Sequence, residues 1–408
     1  MTMMRTLLLG AALLGATGLG ALAQDGGESA GEWNETVAAA RGQTVYFNAW
    51  GGSQNINDYI GWVAEEVDDR YGITLEHVKV DDTANAVAQV VAEKAAGRNE
   101  DGGIDLIWIN GENFASMKEQ DLLAGGFASS LPNWRLVDQD NPSVTTDFTV
   151  PTEGRESPWG GAKFVFFTDS ARFGALETMP DSAGELLEWA KANPGRFSYP
   201  APPDFMGSSF LKQVLSETIE DPAVLENPVV DADFERVTAP LWAYLDQLDP
   251  VMWRSGRDYP ANYPAMKQLL ADGELGIIFA FNPAEASSAI ANDELPDTVR
   301  SFVFSGGTLG NTHFVTIPYN SGSKEAAKVV ANFLISPEAQ IRKEKPEVWG
   351  DPTILALDKL SDAEREAFAA IDRGVATLGP DELGPVLPEP HPSWMTRIEE
   401  KWLTRYGS

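Results

Sequence analysis

Thr44-Val45-Tyr46-Phe47-Asn48-Ala49-Trp50-Gly51-Gly52 reads as a buried strand that stops at two glycines. Val45, Tyr46 and Phe47 are strand formers, and the glycine pair ends the run. Behind it Ile56, Tyr59, Ile60, Val63 and Val67 recur at the spacing of one helix face. A strand that runs into glycines and then a helix leaves backbone N–H groups open at the helix start, a common seat for a ligand in α/β folds. Trp50 stands at the strand's end, where it can cover such a seat. The alternative is a core strand whose tryptophan only packs.

The same alternation continues outward. A second strand is expected over 73–80, a helix over 83–96 stopped by Gly97, and a third strand over 104–109. Asn110-Gly111-Glu112-Asn113 then leads into a helix from Phe114. This order argues a mostly parallel sheet covered by helices. Residues 131–158, rich in Pro, Thr, Asp and Asn, break the rhythm and read as a long crossing segment. A new strand over 163–167 starts a second lobe. It continues through a proline- and glycine-rich loop (199–209), helices over 210–219, 234–248 and 263–271, and a strand over 277–281. A short strand over 302–304 and a glycine-rich link over 305–311 follow. A strand over 314–318 and a helix with the stripe Ala326, Val329, Val330, Phe333, Leu334 come next. Ser361-Asp362-Ala363-Glu364 is a capping box, with Gly374 expected to close its helix. Residues 380–392 form a proline-rich loop before a terminal helix over 393–405.

The 408 residues carry 30 Lys+Arg against 61 Asp+Glu, a net charge of −31. Nucleic acid is an unsuitable partner, because phosphate contacts need basic surface. An anionic membrane surface is disfavoured on the same ground. At the N-terminus Arg5 precedes an apolar run over 7–22, and Ala21-Leu22-Ala23 fits a small-x-small cleavage pattern. Cleavage is expected after Ala23, leaving Gln24 first. The chain has no cysteine, hence no disulfide and no lipid-modified cysteine. These features point to an exported soluble protein, with a bacterial periplasm as its compartment.

Catalytic signatures are missing. The three histidines, His77, His313 and His391, form no metal-binding pair at helical spacing, and without cysteine a zinc site is not expected. No nucleophile elbow, phosphate-cradling loop or dinucleotide fingerprint occurs, so no catalytic residue, metal or cofactor is assigned.

Binding character lies at the strand ends. Trp50, Gly51 and Gly52 form one such end, and Asn110, Glu112 and Asn113 a second. Trp159, with Gly160-Gly161, precedes the first strand of the second lobe, at the hinge. Asp204, Phe205 and Ser208 lie before a helix, Phe281 and Asn282 end a strand, and Asn311 and His313 sit at the next crossing. Each alone reads as ordinary turn chemistry, but together they fall at strand ends in two lobes. Trp50, Trp159, Phe205 and Phe281 can stack on a sugar or box a cation, and Glu112 and Asp204 can pair with one. Arg254 and Arg257 read as surface charges near a turn. An uncharged or cationic organic solute is expected.

These segments resemble a known family. The resemblance rests on residues 45–50 with their Gly-Gly, on Tyr71-Gly72-Ile73-Thr74-Leu75, and on Asp105-Leu106-Ile107-Trp108-Ile109-Asn110-Gly111. It also rests on Asp272-Gly273-Glu274-Leu275-Gly276-Ile277-Ile278 and on the run from Ile317-Pro318 to Ser336-Pro337-Glu338-Ala339-Gln340. The chain resembles the extracellular solute-binding proteins of bacterial ABC importers, and among them the YnjB-like branch. The resemblance implies an α/β type II periplasmic-binding-protein fold, two lobes joined by a hinge with a ligand cleft between them. Lobe one would hold 24–157 and 309–353, and lobe two 158–308 and 354–408. It further implies a monomer that closes on a small solute and delivers it to an inner-membrane ABC permease. Two rivals remain, a periplasmic carbohydrate-active enzyme using a carboxylate pair and a ligand-sensing receptor domain.

Overall fold

In the computed structural model, which describes residues 30–379 and 381–407, the opening stretch is an inner strand of a sheet, next to its edge. The leader and its expected cleavage after Ala23 fall outside the described residues. The first lobe begins with α1 (Ala30–Ala40), β1 (Thr44–Trp50), α2 (Gln54–Tyr71), β2 (Thr74–Val80), α3 (Thr83–Ala95), β3 (Leu106–Ile109) and α4 (Gly111–Glu119). A two-strand ribbon, β4 (Thr146–Asp147) and β5 (Val150–Pro151), precedes β6 (Glu156–Lys163) and β7 (Val165–Asp169). The second lobe continues with α5 (Ser170–Phe173), α6 (Ala183–Ala192), α7 (Phe205–Thr218), α8 (Asp231–Leu248), α9 (Tyr263–Ala271), β8 (Ile277–Ala280), α10 (Glu285–Ala291) and β9 (Val299–Phe302). Then come β10 (Thr308–Thr316), α11 (Lys324–Leu334), α12 (Pro337–Glu344), α13 (Asp362–Ala369), β11 (Val386–Leu387) and α14 (Pro392–Tyr406).

β1 pairs in parallel with β2 on one side and β3 on the other, as the alternation requires. Val45, Phe47 and Ala49 are fully buried on one face of the strand, and on the other Tyr46 is exposed while Asn48 is covered. Gly72 sits at φ 68°, closing α2 with a left-handed cap that L side chains resist. In α11 the expected stripe Ala326, Val329, Val330, Phe333 and Leu334 is buried. The capping box of α13 is made on both sides by Ser361 and Glu364. That helix ends at Ala369, so Gly374 (φ 75°) turns the following loop instead of closing it.

The second sheet departs from the parallel pattern. β7 is central, and β8 and β9 both run antiparallel to it. A parallel bridge from Phe197 to Ile277 extends its edge.

Two strands cross between the lobes. β6 and β10 pair antiparallel from Gly310↔Lys163 to Thr316↔Glu156, with an irregularity between His313 and Phe314. β10 continues onto β3 at its far end and meets β11 at its start. Trp159-Gly160-Gly161 and Gly310-Asn311-Thr312-His313, expected as loops, are therefore strand interior. The glycine reflects crowding: a Cβ on Gly160 would fall on His313 Nε2 and Asp351 Oδ2. α7 likewise starts earlier than expected. Asp204 accepts from Met206 N (2.8 Å) and caps it, and Gly207 passes too close to the Pro200 carbonyl for any side chain.

Each lobe has its own core. Val45, Phe47, Val63, Trp159, Val330 and Trp349 belong to the first, and Phe164, Phe166, Phe210, Phe279, Leu241 and Trp394 to the second. The expected return to the second lobe at 354 comes before the packing changes. Ile354, Leu355, Leu360, Phe368 and Ile371 still lie in the first core, and Ala376 is in the second. The lobes also touch directly. Asn55 Nδ2 of α2 donates to Ser288 Oγ of α10 at 3.0 Å, and α14 packs against α4.

Candidate functional site

On the first lobe the site is built at the end of β3. Asn110 stays extended, and Gly111 opens α4 at φ 60°. A side chain there would strike the Phe148 ring, which covers Gly111. The Gly111 N–H donates to Asp147 Oδ2 at 2.7 Å, so the β4 carboxylate closes the helix start. Asp147 is 1% exposed, and its other oxygen, Oδ1, makes no hydrogen bond among the described residues. Glu112 follows in the first turn of α4.

On the second lobe α7 turns Phe205, Ser208 and Lys212 to one face, at helical spacing. Ser208 Oγ donates to Glu399 Oε1 of α14 at 2.5 Å. Phe205 stands 5.5 Å from Phe281 between ring centroids. Lys212 Nζ lies 2.7 Å from Glu389 Oε2 and 4.3 Å from the centroid of the Phe148 ring. Both side chains of the ion pair are almost fully buried. Glu389 Oε1 accepts from Asn311 Nδ2 of β10 at 2.8 Å, which ties the proline loop to the crossing strand.

The carboxyl groups of the two lobes sense one another. Glu112 keeps part of its surface open, yet protein surrounds it closely enough for desolvation to raise its pKa. Lys212 opposes the rise, and Glu389 and Asp82 add to it. Burial pushes Asp147 well above the usual carboxylate range, against the pull of the Gly111 N–H and with repulsion from Glu112 and Glu389. Burial also raises Asp204. Glu399 is pushed up to about 7, by burial first and then by Glu112 against the Ser208 bond. Behind Asp147, Glu156 of β6 is fully buried with neither carboxyl oxygen hydrogen-bonded among the described residues, and burial raises it strongly. Chemically this is an acidic, aromatic-walled site whose carboxylates face the Lys212 ammonium. Among the described residues no group of three or more His, Cys, Asp or Glu is arranged to hold a metal ion.

The sequence pattern of the bacterial extracellular solute-binding proteins matches residues 62–353. Protein YnjB of Escherichia coli (strain K12) is 49% identical over 379 residues, spanning 93% of this chain and 95% of that one. The chain belongs to the bacterial extracellular solute-binding proteins. The fold agrees. The periplasmic binding protein AfuA from Actinobacillus pleuropneumoniae, solved with fructose-6-phosphate, superposes with a TM-score of 0.63 at 12% identity, over 90% of this chain and 99% of that one. PotD from Streptococcus pneumoniae, a spermidine/putrescine ABC-transporter substrate-binding protein, gives 0.59 at 15% identity, over 90% and 98%. Among the described residues no helix is long and apolar enough to cross a membrane.

In this solute-binding protein the expected site residues divide into two groups. Glu112, Asp204, Phe205, Ser208, Phe281 and Asn311 lie in or beside the acidic cluster, and Asn110 and Asn113 flank Glu112, half-buried. Trp50 packs on the first core with its ring over Gly52, where a Cβ would clash. The Gly51 N–H, expected to be open, donates to the Val80 carbonyl at 3.0 Å, and its carbonyl accepts from Asn57. Trp159 does not line a cleft. It is 0% exposed and packed among Phe47, Tyr59, Trp108, Trp349 and His313. His313 is buried beside it, stacked on Trp349 and 3.1 Å from Asp351 Oδ2. Asn282 spends its side chain on the Trp349 carbonyl and the Ala284 N–H. Sequence reading missed Asp82, Asp147, Phe148, Lys212, Glu389 and Glu399. The helical spacing of Phe205, Ser208 and Lys212 was the one signal that could have found a member of this group.

Proposed function

We propose that this solute-binding protein is the periplasmic substrate-binding component of an ABC importer, and that it captures a small organic cation between its lobes. Closure on the solute would produce the form that an inner-membrane permease recognises. The protein acts as a carrier, not an enzyme, and works as a monomer. One observation carries the reading. Carboxylates from both lobes (Glu112 and Asp147 on one, Glu389 and Glu399 on the other) converge beside the rings of Phe148, Phe205 and Phe281. Aromatic faces and carboxylates together are the chemistry that holds ammonium groups.

Fold alone does not choose the solute. AfuA was solved with a sugar phosphate and PotD is named for polyamines, on the same architecture. An anionic solute would have to enter against the carboxylates of both lobes. The test is a thermal-shift series on the mature protein with tetramethylammonium, choline and 1,4-diaminobutane, set against glucose, citrate and fructose-6-phosphate. A cation that binds the folded state raises the melting temperature by mass action. A rise with citrate or the sugar phosphate, and with none of the cations, would overturn the proposal.

A further inference from the structure

Lys212 stands where a cationic solute would be held. Its ammonium is 2.7 Å from Glu389 Oε2, 4.3 Å from the centroid of the Phe148 ring and 5.6 Å from that of Phe205. The two rings come from opposite lobes. Phe148 precedes the first crossing strand, and Phe205 opens α7 beyond it. Glu389 Oε2 is held by the Lys212 ammonium alone, and the buried Asp147 Oδ1 across the cluster makes no hydrogen bond among the described residues. A cage of rings and under-used carboxylate oxygens is thus occupied by a tethered cation.

We propose that Lys212 is a built-in stand-in for the solute, whose ammonium an incoming organic cation displaces from the cage. The inference rests on the cation reading above. A lysine suits the part, being a point charge on a flexible four-carbon stem. Glu112 and Glu399 both lie within its electrostatic reach and receive the displaced ammonium. Without solute, Lys212 spares Glu389 the cost of standing buried and unpaired. With solute, the ligand's own ammonium takes that place.

The experiment compares wild-type protein with Lys212→Met and Lys212→Gln by calorimetric titration with tetramethylammonium, choline and 1,4-diaminobutane. Displacement predicts a lower melting temperature without ligand, yet an affinity for these cations higher by about tenfold or more, because the competing internal cation is gone. A purely structural lysine would lower the melting temperature and leave affinity unchanged, and a lysine whose stem shapes the cation's seat would lower affinity. Either result, in a protein whose wild type binds a cation, overturns the inference and leaves the cation reading standing. Binding of no cation by any of the three proteins overturns the reading and the inference with it. Should both variants fail to fold, wild-type protein labelled at lysine Cε answers alone. The Lys212 signal, shifted by the ring currents of Phe148, must move when the bound cation saturates the protein. An unmoved signal at saturation overturns the inference.

Discussion

The Lys212 ammonium rests 4.3 Å from the centroid of the Phe148 ring, and the two residues come from opposite lobes. They meet where the Asn55–Ser288 hydrogen bond and the packing of α14 on α4 also bring the lobes together. A ring at this place can stabilise closure and hold a cation with the same face.

Phe148→Leu keeps most of the apolar volume over Gly111 and removes the π face. We expect cation affinity to fall by about five- to thirtyfold, the range of one partly desolvated cation–π contact. Titration with choline reads the affinity, and small-angle scattering reads the share of closed protein, which should drop. Unchanged affinity would remove Phe148 from the site.

Gly160→Ala tests the crossing strands. The new methyl falls on His313 Nε2 and Asp351 Oδ2, both buried and not free to retreat. Overpacking of this kind costs about 1–3 kcal/mol, and displacement of the Asp351 carboxylate adds to it. The neighbouring Gly161→Ala is the control, since its Cβ would meet the nearest atom, on Pro352, at an ordinary 3.5 Å. Urea unfolding of both should show a large drop for the first and little change for the second.

These two strands also show where sequence reading stops. The opening strand, α2 and α11 were legible because their burial repeats at a fixed period: Val45, Phe47 and Ala49 on one face, and Val329, Val330 and Phe333 on another. Trp159-Gly160-Gly161 read as a loop because glycine commonly marks turns, whereas here it is required by a side chain that arrives from far along the chain, His313. The site divides in the same way. Glu112 and Phe205 lie at element ends and could be named from position. Asp147, Lys212 and Glu389 acquire meaning only through one another, across long separations in sequence that no local pattern encodes. Trp50 and Trp159 misled because a large aromatic at a strand end serves a core as readily as a cleft.

Acidity should govern capture. Glu399 titrates at about 7 in the folded protein against 4.5 for the ordinary side chain, so the folded state binds its proton more tightly than the unfolded chain does. Between those values the group makes stability fall as pH rises, by at most about 1.4 kcal/mol per pH unit. Below 4.5 its contribution is level, and above 7 its penalty is complete. Cation binding responds in the opposite sense, because the cation favours the ionised carboxylate. Affinity for choline should therefore rise from pH 5 to pH 8, with proton release visible as a buffer-dependent heat. Glu399→Gln should flatten both profiles, and profiles unchanged by that substitution would detach Glu399 from the site.

A second buried ion pair sits away from the acidic cluster, beside the crossing strands, and gives the last prediction. Lys343 is fully buried and pairs with Asp351 Oδ2, the oxygen that His313 also approaches. Lys343 Nζ donates as well to the Pro352 carbonyl at 3.0 Å, and the Gly161 N–H donates to that same carbonyl at 3.0 Å. The lysine thus ties α12 to β6. Burial lowers its pKa, and Asp351 works against the loss of charge. Lys343→Met would leave Asp351 buried beside His313 without its main counter-charge, at a cost of about 3–5 kcal/mol. Lys343→Met combined with Asp351→Asn removes both charges, so the double variant should be more stable than the single one. A double-mutant cycle by urea unfolding measures the coupling. Costs that simply add would mean that the pair is not coupled and that the crossing is held by its backbone bonds and aromatic packing alone.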